Sequence, residues 1–299
     1  MSQVAWKALV ASASEPLVPG EFNFSRDDFR RITTMIHEDA GIYLPESKAA
    51  LVYARLAKRL RALQLEAFRD YCELVETTEG ERERQEMLAA LTTNVTRFFR
   101  EPHHFEHLKT RVLPSLIPEA QKGGRIRVWS AACSSGQEPY STALAILSLW
   151  PEASRYDVRV LATDIDPYVL ETGKDGLYSE AQVEPVPADL RKRFFESTMI
   201  DGKPHWRVGP AMRALVAFRS LNLIEPWPMR GTFDAIFCRN VVIYFDEPTQ
   251  QRIWENFAPR LKPGGALYIG HSERVSGPAA DRLVSDGIST YRLHGAQRR

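Results

Sequence analysis

Residues 126–141 read Ile126-Arg127-Val128-Trp129-Ser130-Ala131-Ala132-Cys133-Ser134-Ser135-Gly136-Gln137-Glu138-Pro139-Tyr140-Ser141. Ile126 to Trp129 is a short run of strand formers. The small-residue loop after it leads into a helical run from Pro139 to Leu149. The same alternation recurs downstream. Val158–Thr163, Val216–Leu221, the almost wholly apolar Phe233–Cys238, Ala266–Gly270 and Ser289–Leu293 read as further strands. A helix from Pro248 to Leu261 stops at Lys262-Pro263-Gly264-Gly265. Strands alternating with helices predict an α/β fold with a doubly wound, mostly parallel sheet.

One spacing is too long for that pattern. A helix and a strand need about 30 residues, yet the second strand ends near Asp164 and the third near Leu221. The surplus falls between Ser179 and Ala214. It holds a short helix, Pro187–Glu196, and the run Met199 to Val208, where Asp201-Gly202 separates two β-prone stretches as in a hairpin. This predicts a small antiparallel β-subdomain inserted at about residues 180–213. Its edge either decorates the sheet or accepts an extended peptide as an extra strand.

Upstream, residues 24 to 91 read as all-helical. Ser25 precedes Arg26-Asp27-Asp28-Phe29 as an N-cap, Phe29, Ile32, Ile36 and Ala40 follow at helical spacing, and Gly41 ends the run. A second helix opens near Glu46 with the stripe Val52, Leu56, Leu60 and Leu63. It carries Lys48, Arg55, Lys58, Arg59 and Arg61, with no acid between Ser47 and Leu65. Residues 66–86 then hold eight acids against three arginines. The basic helix is either a solvated face balancing these neighbours or a docking surface for an acidic helical partner. Residues 1 to about 20 read as a loose tail closed by Pro16, Pro19 and Gly20. Val4–Ala13 ends in Ala-Ser-Ala but lacks a positive leader, and Lys7 interrupts it, so it is not taken as a signal peptide.

Composition narrows the function. The 299 residues are 44% hydrophobic and 26% charged, which excludes a mainly disordered chain. The 39 basic and 38 acidic residues leave +1, too little for a global grip on nucleic acid. No apolar run reaches the ~18 residues of a membrane helix. Cys72, Cys133 and Cys238 are odd in number and far apart, which fits a reducing compartment, hence the cytoplasm.

Ligands of an open parallel sheet sit at the carboxyl ends of its strands. The loop after the first strand has one glycine, so it is neither a G-x-G-x-x-G nor a phosphate loop. Glu138 stands at the following helix N-terminus, where it repels phosphates and favours a cationic ligand such as a sulfonium bearing an amino group. Asp164 after the second strand suits a ribose diol, or else a helix cap. Asn222 and Leu223 suit an adenine edge and face. Arg239-Asn240 followed by Val241-Val242-Ile243-Tyr244-Phe245 is a polar pair and an aromatic pair after a buried strand.

These residues resemble the CheR-type chemotaxis receptor methyltransferases, which use S-adenosylmethionine to methylate glutamate side chains of chemoreceptors. The most specific match is Thr92-Thr93-Asn94-Val95-Thr96-Arg97-Phe98-Phe99-Arg100-Glu101-Pro102-His103-His104-Phe105. Trp129–Ala132 with Gly136–Ser141, Thr163–Asp166, Phe233–Asn240 with Ile243–Phe245, Gly264-Gly265 and His271-Ser272-Glu273 complete it. The resemblance covers residues 24–294 and implies a Rossmann-like class I methyltransferase sheet behind a helical receptor-docking domain. The expected domains are thus 1–20, 21–91 and 92–299. It implies that Asn94, Thr96 and Arg100 stand at the cofactor mouth, and that Glu138, Asp164, Asn222, Leu223, Arg239 and Asn240 hold the cofactor. It also implies that the basic helix docks on receptor helices. The inserted hairpin resembles the subdomain that in some members grips a receptor C-terminal peptide. Because a glutamate nucleophile is already ionised near pH 7 (reference pKa about 4.3), no general base is required. Arg100, through a charge-assisted contact, and Tyr244, through its hydroxyl, are the candidates for orienting it. His103, His104 and His107 lack a metal-site pattern and are expected at the surface or as caps, with no metal. The competing readings are a methyltransferase acting on a small molecule or nucleic acid, and a non-catalytic receptor-binding module with a damaged pocket.

Overall fold

The computed structural model describes residues 16–294. Most of the expected tail, including Val4–Ala13, lies outside the described residues. Contacts divide the chain into two compact units. One runs to Thr93 and takes in Tyr244–Asp246; the other is Asn94–Ile243 with the chain from Glu247 onward.

The first unit is helical: α1 (Arg26–Ala40), α2 (Ala49–Leu63), α3 (Phe68–Val75) and α4 (Glu81–Leu91). The Ser25 hydroxyl accepts from the Asp28 N–H while Asp28 accepts from the Ser25 N–H, so two orphan donors of α1 are satisfied at once. Gly41, at φ 72°, ends it. A 3₁₀ turn, Glu46–Lys48, precedes α2, so that helix starts three residues later than the sequence suggested. Val52, Leu56 and Leu60 are buried, but Leu63, the last residue of α2, is exposed. The basic face of α2 is mostly engaged at home. Arg59 makes a fork with Glu83 at 2.9 and 2.6 Å. Arg55 donates to the Leu91 and Thr92 carbonyls at the end of α4, at 2.8 and 2.7 Å. Arg61 pairs with Glu21 at 2.7 Å. Of these three only Arg59 meets an acid of the 66–86 stretch, and Lys48 and Lys58 are exposed.

The second unit begins with α5 (Pro102–His107), continued through a π turn into α6 (Leu113–Gln121). Then follow β1 (Ile126–Ala131), α7 (Gln137–Leu149), β2 (Val158–Asp164) and α8 (Pro167–Asp175). The insertion is β3 (Leu177–Ser179), α9 (Glu180–Val183), α10 (Ala188–Phe194), β4 (Phe195–Ile200) and β5 (Lys203–Val208). The chain closes with α11 (Pro210–Leu215), β6 (Val216–Ser220), β7 (Phe233–Cys238), α12 (Glu247–Phe257), β8 (Leu261–Ile269), β9 (Leu283–Gly287) and β10 (Thr290–Leu293). The large sheet has the order β6-β2-β1-β7-β8-β10-β9. Its first five strands are parallel, while β10 runs antiparallel to both β8 and β9. The insertion forms a separate antiparallel sheet, β3-β5-β4. Asp201 and Gly202, at φ 48° and 70°, turn its hairpin as the Asp-Gly pair demands.

Two boundaries differ from the sequence reading. The helix expected to reach Leu261 stops at Phe257, and Leu261 pairs with Phe233 before Lys262–Gly265 bulge out and pairing resumes with Ala266 opposite Ala235. The Pro-Gly-Gly signal survives as that bulge, with Gly264 at φ 76°. Strand β9 carries only one buried residue, so it shows no alternation and escaped notice. The core explains the rest. Every residue of β7 is buried, and so is the run from Gln137 to Leu147 in α7 except Glu138. On β1, Trp129 is wrapped by Trp227, Phe233 and Phe257.

Candidate active site

Strand order ascends from β1 through β2 to β6 on one side and through β7 to β8 on the other. The order reverses between β1 and β7, whose carboxyl ends therefore border the ligand crevice of such a sheet. The loop leaving β1 is tightly wound. Ala132, Ser134 and Gly136 have φ of 60°, 49° and 95°. Holding two non-glycines there costs roughly 1–3 kcal/mol each, and neighbouring groups brace the loop against it. The Cys133 N–H donates to the Thr163 carbonyl and the Ser134 N–H to Asp164 Oδ2. From the insertion, the Tyr178 hydroxyl donates to the Ser135 carbonyl at 2.7 Å. Gly136 has no room for a side chain, since a Cβ would lie 2.8 Å from the Tyr178 oxygen and 3.0 Å from Gly173 Cα.

A charged cluster sits at this reversal. Arg239, at the end of β7 and with its side chain 2% exposed, reaches Glu138 Oε2 at 3.2 Å and Glu101 Oε2 at 3.4 Å. It also donates to the Arg100 carbonyl. The Ser130 hydroxyl donates to Glu138 Oε1 at 2.7 Å, and Glu101 Oε1 meets His271 Nδ1 at 3.0 Å. Burial pushes the Glu138 carboxyl up, and Arg239 and the Ser130 hydroxyl only partly restrain it. For Glu101 burial also pushes up, but His271 and Arg239 together prevail and hold it below the ordinary range. Asn240 Oδ1 and Arg239 Nε are buried without partners. A buried acceptor, a buried donor and two carboxylates suit a small zwitterionic ligand carrying both an ammonium and a carboxylate.

Asp164 is buried at the end of β2. Its Oδ2 accepts from Ser134 and its Oδ1 from the Asp166 N–H at 3.0 Å, and the Ile165 N–H also faces the carboxylate, which retains acceptor capacity for a hydroxyl. Burial raises its carboxyl to about 6, the backbone N–H groups opposing. The helix-capping alternative belongs to Asp166, which accepts from the Tyr168 N–H at the start of α8. Asn94 donates to Asp166 Oδ2 at 2.8 Å, and its carbonyl accepts from the Ser134 hydroxyl. The Asn94 segment is thereby pinned to the loops after β1 and β2. Thr96 is half-buried on the same segment.

Three further candidates are placed as follows. Asn222 closes a local turn, accepting from the Ile224 N–H and donating to Glu225, so its amide is engaged beside the buried Leu223. The Arg100 guanidinium folds back onto the Val95 carbonyl at 3.0 Å. Tyr244 belongs to the helical unit, its carbonyl accepting from the Tyr43 N–H.

The histidines are not at the surface as a group. His104 is fully buried against Tyr268, and its Nε2 faces the Ile288 carbonyl. Burial, with Arg239 and His103 alongside, lowers it to about 3, so it is neutral. His107 is held by the Tyr268 hydroxyl and Asp286. Donor atoms of Glu101, His103 and His104 lie within 4.8 Å of one another. The guanidinium of Arg239 already supplies a fixed positive charge to that carboxylate, which disfavours a cation there. Glu101 was given no role from sequence. Its signal was an acid wedged between Arg100 and Pro102 at a helix start, where φ is 54°.

Comparison with known proteins completes the picture. Residues 27–92 match the family model described as "CheR methyltransferase, all-alpha domain", and residues 94–287 match "CheR methyltransferase, SAM binding domain". The chain is 55% identical over 258 residues to a probable chemotaxis protein methyltransferase of Rhizobium etli, covering 86% of this chain and 96% of that one. It is 43% identical over 256 residues to chemotaxis protein methyltransferase 2 of Pseudomonas aeruginosa, covering 85% and 88%. A chemotaxis protein methyltransferase of Escherichia coli is 43% identical over 272 residues, covering 89% and 90%.

Proposed function

The chain belongs to the CheR methyltransferase family, and from that premise we propose that it transfers a methyl group from S-adenosylmethionine to glutamate side chains of chemoreceptors. The products are a glutamate methyl ester and S-adenosylhomocysteine. The observation that carries the reading is the buried Glu138–Arg239–Glu101 cluster at the strand-order reversal, beside the unpartnered Asn240 Oδ1. When bound, S-adenosylmethionine supplies a methyl carried on a positively charged sulfur.

In this reading Glu138 holds the ammonium of the cofactor. Asp164 accepts from its ribose hydroxyls, while Leu223 and the turn at Asn222 border its adenine. Asn94, Thr96, Arg239 and Asn240 complete the cradle. The receptor carboxylate is the nucleophile and arrives ionised, which explains why no dedicated base stands in the site. Opposite charges cancel as the new C–O bond forms and the C–S bond breaks, so removal of water and alignment lower the barrier. Arg100 swings from the Val95 carbonyl to orient the carboxylate, with Tyr244 as the hydroxyl donor.

The remaining assignments follow the same premise. The helical domain, 21–91, docks on receptor helices, and the methyltransferase domain, 92–299, carries the chemistry. Because Arg55, Arg59 and Arg61 are engaged internally, Lys48 and Lys58 make the stronger contribution to docking on acidic helices. The β-subdomain at about 180–213 offers the edge of β4 to a receptor C-terminal peptide. No helix among the described residues is long and apolar enough to cross a membrane. Cys72, Cys133 and Cys238 are buried free thiols, in keeping with a cytoplasmic setting. Mass spectrometry of receptor peptides after incubation with S-adenosylmethionine tests the reading. A methyl increment on glutamate supports it, and methylation confined to another residue type contradicts it.

A further inference from the structure

Glu273 lies just past β8, and its carboxylate collects four backbone N–H groups. Oε2 accepts from Gly270 at 2.6 Å and Asn240 at 2.9 Å, and Oε1 from Val241 at 2.9 Å and Val242 at 2.8 Å. Three of these donors are consecutive residues leaving β7. Aiming three successive peptide N–H groups at one carboxylate fixes the orientation of each peptide plane. Asn240 itself has φ 58°, a left-handed conformation that a non-glycine residue keeps only under outside constraint. The loop also lies directly on Gly270. A Cβ there would come within 2.5 Å of Asn240 Nδ2 and 2.8 Å of its backbone nitrogen. The product of this bracing is Asn240 with Oδ1 buried and unpartnered.

We propose that Glu273 is a positioning residue of the cofactor site, acting through Asn240 rather than by touching the ligand. It clamps the Asn240–Val242 backbone so that the Asn240 side chain is presented in one orientation. This rests on the reading that Asn240 contacts the cofactor. A role in stability alone would lower the melting temperature without linking Glu273 to Asn240.

The test is calorimetric binding of S-adenosylhomocysteine to the full chain, with thermal melts, for Asn240→Ala, Glu273→Gln, Glu273→Asp and the double variant Asn240→Ala/Glu273→Gln. Gln is isosteric but sets a donor amide against N–H groups. The expected result is a loss of about tenfold for Glu273→Gln and a comparable loss for Asn240→Ala. The double variant should bind no more weakly than the weaker single, because each removes the same contact. Glu273→Asp, which keeps the charge, should bind better than Glu273→Gln. Unchanged affinity in Glu273→Gln, or losses that multiply in the double variant, overturns the proposal. If Glu273→Gln does not fold, wild-type affinity in Glu273→Asp combined with a loss in Asn240→Ala overturns it equally. Unchanged affinity in Asn240→Ala overturns the Asn240 reading and this inference with it.

Discussion

Replacing Arg239 by Met removes the counterion of two carboxylates while keeping most of the side-chain volume. The Arg239 side chain is 2% exposed, and those of Glu138 and Glu101 are each 12% exposed. Breaking a buried pair from one side costs about 3–5 kcal/mol. Here the Ser130 hydroxyl still serves Glu138 and His271 still serves Glu101, so the lower end, about 3 kcal/mol, is expected. For a unit of this size that lowers the melting temperature by about 6–12 °C. The pH dependence gives the sign. Burial already raises Glu138, and losing Arg239 raises both carboxyls further. An acid raised in the folded state contributes fully below its unfolded value, and that contribution is lost as pH rises through the folded value. Wild-type Glu101 is lowered, so its contribution is present above the ordinary carboxylate range and lost in acid. Both effects make the deficit of Arg239→Met largest at mildly alkaline pH and smallest in weak acid. Denaturant unfolding across that range measures it. A deficit under about 1 kcal/mol, or one that grows toward acid, refutes the cluster as described.

Three further outcomes are expected. Asp164 is raised to about 6, so affinity for S-adenosylhomocysteine should fall by up to about tenfold per pH unit below that point. Its own contribution to stability runs the other way, being lost as pH rises through about 6. Asp164→Ala should weaken binding and abolish that inflection, and an inflection that persists in calorimetry assigns it elsewhere. Arg100→Ala should lower kcat by about tenfold or more with a smaller change in cofactor affinity; equal losses in both would make Arg100 a cofactor ligand only. Lys48→Glu with Lys58→Glu should slow receptor methylation without altering cofactor binding or melting. Arg59→Glu should instead destabilise the helical unit by about 2 kcal/mol or more, since the buried Glu83 is left without its fork. A melt unchanged in Arg59→Glu would return that residue to the docking surface.

Much of this was legible from residue pattern because local chemistry and the fold agree. The alternation around Ile126–Leu149, the Ser25 cap, the Gly41 stop and the Asp201-Gly202 turn each have one conformation that suits them. What escaped depends on partners far along the chain. Strand β9 exists because β10 pairs with it, as its composition carries no period of two. Glu101 matters because the fold brings Arg239 and His271 to it. The basic stripe of α2 left two readings open because sequence shows that acids are near in the chain but not which arginine each meets; the fold sets Glu83 against Arg59 and Glu21 against Arg61. Asn222 read as a free amide for the same reason, while its turn with Ile224 and Glu225 engages both ends of the side chain.

The most direct measurement is incubation of the full chain with methyl-labelled S-adenosylmethionine and chemoreceptor-containing membranes, followed by mild alkali and capture of volatile methanol. The account predicts released label that disappears with Glu138→Ala. Label that stays on the receptor through alkali, or no transfer by a chain shown to bind S-adenosylhomocysteine, would contradict carboxyl methylation of these receptors.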